Sequence, residues 1–110
     1  MKGRSVKALV RRSPVDPMIA ASEKAAKLLK AMASPVRLRI LCLLSEEEMS
    51  VGDIAERLGI REQATSQQLA QLRLEGLITP RKEAQHVFYR LASPEIDQLL
   101  RTLREIYCRV

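Results

Sequence analysis

Polar and apolar residues follow helical spacing from residue 62 to residue 75. Thr65, Leu69 and Leu72 recur three or four positions apart, so one face of this segment is predicted to pack on a core. Side chains with amide and hydroxyl groups fall between the apolar positions and are predicted to be exposed. The residues on this polar face are Gln63, Ser66, Gln67 and Gln71.

Two further patterns flank this helix. Before it, residues 51–58 predict a short helix that ends at Gly59, a residue suited to a left-handed cap. After it, the largely apolar runs 77–80 and 87–91 lie on either side of a charged turn and predict a two-stranded β-ribbon. Helix, turn, amide-rich helix and ribbon is the order of a winged helix-turn-helix. The predicted fold class is therefore mainly α with a small β-ribbon.

Three more helices are predicted to start where proline follows a short polar residue. The polar side chain caps the helix, and proline suits the first position because no N–H is needed there. Ser50 and Asp53 form a related capping pattern for residues 51–58. The second of the three helices is apolar nearly all round and is predicted to be buried. With Asp16-Pro17, Ser34-Pro35 and Ser93-Pro94 as starts, the helices are predicted over residues 17–33, 35–45 and 94–107.

The first and last predicted helices each carry an apolar stripe. In the first helix the stripe follows a 3,4 step, which suits a seam with another helix. Packing on the domain's own core is an equal alternative. A dimer suits a DNA-binding protein, because two recognition helices reach half-sites roughly 34–36 Å apart. The predicted homodimer interface comprises Met18, Ala21, Ala25, Leu28, Leu99, Leu103 and Ile106.

The 110 residues suffice for one domain, whose core must be aliphatic because only 3% of the residues are aromatic. The net charge of +6 is unevenly placed, since residues 1–15 hold five basic and no acidic side chains. We predict a basic flexible tail over residues 1–15 and a winged helix-turn-helix domain over residues 16–110. The tail adds salt-dependent attraction to a polyanion, so specific DNA binding depends on the nearly neutral domain.

Amides and cations supply the predicted contacts to double-stranded DNA. Glutamine pairs with the edge of adenine, and serine contacts a base or a phosphate. Arg81, Lys82 and His86 lie at or near the ribbon tip, where cations contact phosphate or the minor groove. His86 is the only histidine and is assigned to this surface, because a zinc site needs three or four ligands. The simpler alternative is that these polar residues are merely exposed.

Other classes of function have little support in the sequence. No apolar run approaches the roughly 20 residues of a membrane span, and no signal-peptide core begins the chain. We therefore expect a cytoplasmic protein, in which two cysteines do not imply a structural disulfide. An organellar presequence in the basic, acid-free N-terminal segment is a less favoured alternative. An enzyme is not expected, because the sequence lacks a second histidine, a Cys-x-x-Cys pair and a glycine-rich phosphate loop.

Three runs of residues resemble the ArsR family of winged-helix repressors. Residues 28–41 resemble the second-helix signature of that family. Residues 65–69 resemble its recognition helix, and residues 72–78 resemble its entry into the wing. The resemblance covers about residues 20–108 and implies a homodimeric repressor whose first and last helices form the interface.

This resemblance also bears on the effector. Metal-sensing members of the family carry Cys-Val-Cys at the start of the third helix, and here Ser50 and Gly52 stand at the two ligand positions. The alternative metal site uses histidines on the last helix, where this sequence has none. No metal and no cofactor are therefore expected.

Cys42 and Cys108 lie in contexts that resemble the BigR/SqrR-type branch of the family, which includes YgaV and HlyU relatives. That resemblance implies a thiol pair that senses reactive sulfur species or oxidants. The chemistry needs a thiolate, and Arg39, one turn before Cys42, could supply positive charge. From the residues alone, a small core residue is the favoured interpretation of Cys42. A regulator without a thiol switch and a protein-interaction module on the same fold are alternatives.

Overall fold

The structure, a computed structural model, describes residues 16–108. Every predicted helix is present, and its ends lie within one residue of the predicted bounds. The predicted tail over residues 1–15 lies outside the described residues. In order, the elements are α1 (Pro17–Met32), α2 (Pro35–Glu46), β1 (Met49–Ser50), α3 (Val51–Leu58), α4 (Glu62–Leu74), β2 (Ile78–Glu83), β3 (His86–Leu91) and α5 (Pro94–Tyr107).

The chain divides into two units, with the boundary inside α1 between Lys30 and Ala31. In the first unit the structure describes residues 16–30, where Met18 is 67% exposed. The second unit begins with the last turn of α1, where Ala31 and Met32 are buried, and contains all later elements. α4, the ribbon and both cysteines therefore lie in the second unit.

Local capping chemistry sets the starts of α2 and α3. Ser34 Oγ accepts a hydrogen bond from the Arg37 N–H at 3.1 Å, and Ser50 Oγ accepts one from the Asp53 N–H at 3.2 Å. α3 ends at Gly59, which has a φ of 71° and lies in the left-handed region. These caps fix the turn before the recognition helix as the sequence predicted.

The start of α5 differs from the prediction. Ser93 precedes the helix, but its side chain makes no capping hydrogen bond, so the expected cap there is wrong. Glu95 and Asp97 instead place negative charge in the first turn of α5. Carboxylates at this end stabilise a helix because they face the positive end of its dipole.

The three strands form one antiparallel sheet in the order β1-β3-β2. β2 pairs with β3 along its whole length, and Ala84 lies in the turn between them with a φ of 57°. The predicted two-stranded ribbon is therefore incomplete, because β1 adds a third strand through the pairing of Met49 with Tyr89. A strand of two residues is too short to show the alternation by which strands are recognised in a sequence.

α2 contributes to the centre of the core but is not buried on every side. Ile40, Leu41 and Leu44 are buried, whereas Cys42 and Leu43 are half-buried. The prediction of a helix buried all round is therefore wrong for one part of its surface, which lines two clefts. The largest fully buried side chains are Ile40, Leu41, Ile54, Thr65, Leu69, Leu72, Leu77, Ile78 and Leu100.

Candidate DNA interface and cysteine cleft

α4 presents a polar face because its back is fixed in the core. Thr65, Leu69 and Leu72 are at most 1% exposed, and the Thr65 hydroxyl donates to the Arg61 carbonyl at 3.0 Å. The predicted division of this helix into a buried and an exposed face is confirmed. The exposed residues include the predicted contact residues Gln63, Ser66, Gln67 and Gln71.

The four predicted DNA-contact residues of α4 differ in whether their side chains already have a partner within the chain. The amides of Gln63 and Gln67 make no hydrogen bond to any residue between positions 16 and 108. The Gln71 amide donates to the Glu75 carboxylate one turn further along the helix. Ser66 lines a cleft of about 480 Å³ between α4 and the β2–β3 ribbon, which we call the wing. A base contact by Gln71 has to displace an internal hydrogen bond, whereas Gln63 and Gln67 are open to a partner.

Arg37 ties α2 to the recognition helix. Its Nε donates to Gln68 Oε1 at 3.1 Å, and its Nη1 donates to the Ala31 carbonyl at 3.0 Å. The side chain is half-buried, and hydrogen bonds from a charged donor are stronger than neutral ones. The sequence pattern does not reveal this role, because Gln68 lies 31 positions away. Arg37 is a positioning residue for α4.

The cationic side chains of the wing also differ in whether they are free to contact phosphate. Lys82 and His86 are exposed, which suits contacts with phosphate. Arg81 lies within β2, where its Nε donates to Glu48 at 2.7 Å and its Nη1 donates to Glu83 at 3.1 Å. The hydrogen bond to Glu48, followed by that to Glu83, raises the pKa of Arg81 above its ordinary value. Arg81 is therefore neutralised within the chain, and its predicted DNA contact requires these ion pairs to open.

Cys42 and Cys108 line one cleft between α2 and the end of α5, with a volume of about 270 Å³. We call it the cysteine cleft. Cys42 is half-buried, Cys108 is exposed, and both are free thiols. Each thiol is therefore within reach of a small reagent that enters the cleft. The remaining lining residues are Leu38, Leu103, Arg104 and Tyr107.

Arg104 joins the two walls of the cysteine cleft. Its Nη2 donates to the Cys42 carbonyl at 3.1 Å, and its Nη1 pairs with the Glu46 carboxylate at 3.2 Å. This fixes α5 to α2 one helical turn before Cys108. Arg39, the charge suggested by the sequence, is exposed and lines a different cleft beside Cys42. Arg104 escapes prediction because it lies 62 positions from Cys42.

The predicted dimer-interface residues retain exposed apolar surface in the single chain. α5 buries a different stripe, formed by Ile96 and Leu100, against its own domain. On each of the two helices, exposed apolar side chains are suited to a partner helix, and the place of these residues in a dimer stays a prediction. Exposed are Met18, Ala21, Ala25 and Ile106, and half-buried are Leu28, Leu99 and Leu103.

The positions that correspond to a metal site in metal-sensing family members serve the start of α3. Ser50 caps this helix, and Gly52 lies beside the Glu62 carboxylate. Residues 16–108 contain no group of three or more histidine, cysteine, aspartate or glutamate side chains that could hold a metal ion. Over the same residues, no helix combines the length and apolar character needed to cross a bilayer.

Comparison with known proteins places these features in a family. Residues 34–79 match the family described as "Bacterial regulatory protein, arsR family". The chain is 50% identical over 88 residues to the transcriptional activator HlyU of Vibrio cholerae, a match that covers 80% of this chain and 82% of that protein. It is 40% identical over 95 residues to the biofilm growth-associated repressor of Agrobacterium fabrum, covering 86% and 81% of the two chains.

Solved structures confirm the predicted winged helix-turn-helix fold. The structure of reduced HlyU from Vibrio cholerae has a TM-score of 0.80 and 47% identity over 86% of this chain and 100% of that chain. The homodimeric winged helix-turn-helix DNA-binding domain Mb0332 from Mycobacterium bovis has a TM-score of 0.73 and 31% identity, covering 83% and 84%. These likenesses also confirm the resemblance to regulators of the BigR and HlyU type. The chain belongs to the ArsR family, whose members are DNA-binding transcription regulators and not enzymes.

Proposed function

We propose that this regulator is a homodimeric repressor that binds an inverted-repeat operator in double-stranded DNA and leaves it when Cys42 and Cys108 react. The effector is a persulfide, a polysulfide or an oxidant. One observation carries the proposal: the two cysteines line one cleft between α2 and the end of α5, and α2 also braces α4 through Arg37 and Gln68. α2 therefore connects the proposed site of thiol chemistry to the helix proposed to contact DNA.

The polar face of α4 supports the DNA-binding part of the proposal. The open amides of Gln63 and Gln67 suit bidentate hydrogen bonds with adenine in the major groove. Lys82 and His86 suit contacts with phosphate, which position a protein on the duplex without specifying a sequence. The relatives are named as transcription regulators, and the Mb0332 domain is named as DNA-binding.

Exposed apolar side chains support a dimer through α1 and α5. Met18 on α1 and Ile106 and Tyr107 on α5 are 67%, 54% and 79% exposed in the single chain. Full burial of a large apolar side chain contributes about 1.5–3 kcal/mol, so covering these residues favours association. The Mb0332 domain is described as homodimeric. A twofold dimer presents one recognition helix to each half-site of an inverted repeat.

The shared cleft supports a switch based on sulfur transfer. The Cys42 thiolate attacks the outer sulfur of a persulfide R–S–SH, which forms Cys42–S–SH and releases the thiolate RS⁻. The Cys108 thiolate then attacks the Cys42 sulfur, which forms a disulfide and releases HS⁻. A disulfide needs Cα atoms within about 7 Å, and a longer polysulfide bridge relaxes this limit.

A bridge in the cysteine cleft acts on both functional surfaces. It joins α2, which contacts α4 through Arg37 and Gln68, to α5, which carries part of the proposed interface. Packed interfaces switch between discrete arrangements, so a small movement of α5 against α2 changes the spacing of the two recognition helices. Two helices at the wrong spacing no longer fit two half-sites, and operator affinity falls.

Operator binding before and after exposure to a persulfide donor tests the proposal. The operator is selected from random duplexes with the reduced protein, and the dissociation constant is measured for wild type, Cys42→Ser and Cys108→Ser. We expect all three reduced proteins to bind equally, and the donor to weaken only wild type substantially, by roughly 5-fold to 150-fold as is usual for allosteric coupling.

The outcomes separate the alternatives. Equal loss of binding in wild type and Cys42→Ser would leave a DNA-binding regulator without a thiol switch. Failure to bind any duplex in a salt-dependent manner would favour a protein-interaction module on the same fold. A reporter driven by the selected operator tests the sign of regulation, because the relatives include both a named activator and a named repressor. Repression predicts higher expression when the regulator is removed.

A further inference from the structure

Cys42 also lines a second cleft, of about 250 Å³, which includes residues of α3. Its charged lining residues are Arg39 from α2 and Arg57 from α3, and we call it the arginine cleft. Leu43 and Leu58 complete the lining. Two arginine residues therefore line a cleft together with Cys42, the residue at which the proposed reaction starts.

Neither arginine of this cleft is firmly engaged inside the chain. The Arg39 side chain is exposed and has no hydrogen bond or ion pair with any residue between positions 16 and 108. Arg57 approaches the Glu47 carboxylate only to 3.7 Å, with side chains 52% and 64% exposed. Such an exposed pair contributes little and exchanges readily for another carboxylate. Arg37 and Arg104, by contrast, are tied by internal hydrogen bonds.

We infer that the arginine cleft binds the carboxylate groups of a low-molecular-weight thiol persulfide and presents its outer sulfur to Cys42. The inference rests on the proposed function and names the substrate class of its thiol site. A guanidinium group matches a carboxylate because its planar N–H donors form paired hydrogen bonds. The cleft is smaller than the roughly 300–1,000 Å³ of a complete small-molecule site, so it fits the acidic end of the donor.

The reaction at this site needs no external oxidant. A bond forms between the Cys42 sulfur and the outer sulfur of R–S–SH, and the S–S bond of the donor breaks. Both electrons of that bond leave with RS⁻, while the transferred sulfur keeps its proton as Cys42–S–SH. The departing thiolate takes its carboxylates out of the arginine cleft, and Cys108 meets the modified thiol from the cysteine cleft.

Two donors of opposite charge test the inference. Glutathione persulfide carries two carboxylates, whereas cysteamine persulfide carries none and is cationic. The rate at which one sulfur adds to Cys42 is measured by intact mass on reduced protein with Cys108→Ser, which stops the reaction after the first transfer. Each rate is determined with and without the additional double change Arg39→Gln and Arg57→Gln.

We expect the ratio of the glutathione persulfide rate to the cysteamine persulfide rate to fall roughly tenfold in the double variant, because two exposed ion pairs with the donor are lost. A matched control, Arg73→Gln with Arg101→Gln, removes two arginines that do not line the arginine cleft and leaves the ratio unchanged. An unchanged ratio in the cleft variant would overturn the inference. So would an equal change for both donors, because the arginines would then act on the thiol alone.

Failure of the proposed function gives a different result. In that case neither donor modifies Cys42, or complete reaction of the wild-type protein with a donor leaves its operator affinity unaltered. If the double variant does not fold, S-methylglutathione serves as a competitor on the wild-type protein, since it carries the carboxylates but transfers no sulfur. If the competitor slows the reaction with glutathione persulfide but not the reaction with cysteamine persulfide, the inference is supported. If it slows neither reaction, or both equally, the inference is contradicted.

Discussion

The recognition helix and the cysteine cleft both depend on α2, but different contacts form them. α4 is fixed by a regular stripe, in which Thr65 and Leu69 are 0% and 1% exposed. The cysteine cleft forms where distant segments meet, and Arg104 connects them to Cys42 across 62 positions of sequence. A DNA-reading surface requires rigidity, whereas a thiol sensor requires access for its reagent. The deeper burial of the α4 back matches the first requirement, and the half-buried Cys42 matches the second.

α2 turns a different side to each of these regions. Arg37 and Cys42 are five residues apart, which is about 140° around a helix of 3.6 residues per turn. One side of α2 therefore braces α4, and another carries the thiol of Cys42. Ile40 and Leu41 lie between them in sequence and are fully buried, so the helix is fixed in the core along this segment. We propose that a displacement at one end of α2 is transmitted to the other, because a packed core does not deform continuously.

The largest expected effect comes from the back of the recognition helix. Leu69→Ala removes a side chain that is 1% exposed and leaves a cavity, so we expect it to destabilise the protein by about 2–5 kcal/mol. Gln63→Ala on the opposite face changes stability by less than about 0.5 kcal/mol. Urea unfolding of the two variants checks this contrast, and similar midpoints would show that the two faces are wrongly assigned.

The second largest expected effect on stability distinguishes Arg37 from Arg39, which both lie on α2. Arg37→Met leaves the Ala31 carbonyl and the Gln68 amide without their partner, and we expect a loss of about 1–3 kcal/mol. Arg39→Met removes an exposed side chain without an internal partner among residues 16–108, and we expect a change below about 0.5 kcal/mol. Thermal unfolding measures both. Equal melting temperatures for these two variants would show that Arg37 does not brace α4.

The smallest effect lies in the wing, away from both regions. Ala84 has a φ of 57°, a conformation that costs a residue with a Cβ about 1–2 kcal/mol. Glycine adopts it freely but loses more entropy on folding, so Ala84→Gly is expected to stabilise the protein by about 0.5–1 kcal/mol. Ala92→Gly, at a position without positive φ, is expected to lower stability instead. Calorimetry gives the sign of the stability change in each variant, and we expect the two signs to be opposite.

Local signals in the sequence predict most of the fold. The Ser34 cap and the left-handed Gly59 each depend on residues within one turn, and the stripe behind α4 repeats along a single helix. β1 gives no such signal, because it has two residues and exists only through its pairing with β3. The sequence also does not show that Glu48 neutralises Arg81, since the two lie 33 positions apart.

The polar face of α4 and the cysteine cleft also differ in how far local sequence signals predict them. The exposed amides of Gln63 and Gln67 follow from helical periodicity, because they lie opposite a buried stripe. The pairing of Cys42 with Cys108 follows from a resemblance to a family branch, and no spacing rule predicts that they share a cleft. Arg104, the charged residue of the cysteine cleft, and the adjacent arginine cleft depend on packing between distant segments and become visible only in the structure.

We propose that the exposed amides of α4 read bases while the wing contacts phosphate. The affinity of Gln67→Ala for operators that each carry one changed base pair tests this docking. Gln98→Ala serves as the control, because it removes an exposed glutamine from α5. We predict that Gln67→Ala loses about 1–3 kcal/mol of discrimination at one base pair of each half-site. Lys82→Ala weakens all operators alike and lowers the salt slope by about one. A uniform effect of Gln67→Ala across all operators, or no effect, would show that Gln67 does not read a base.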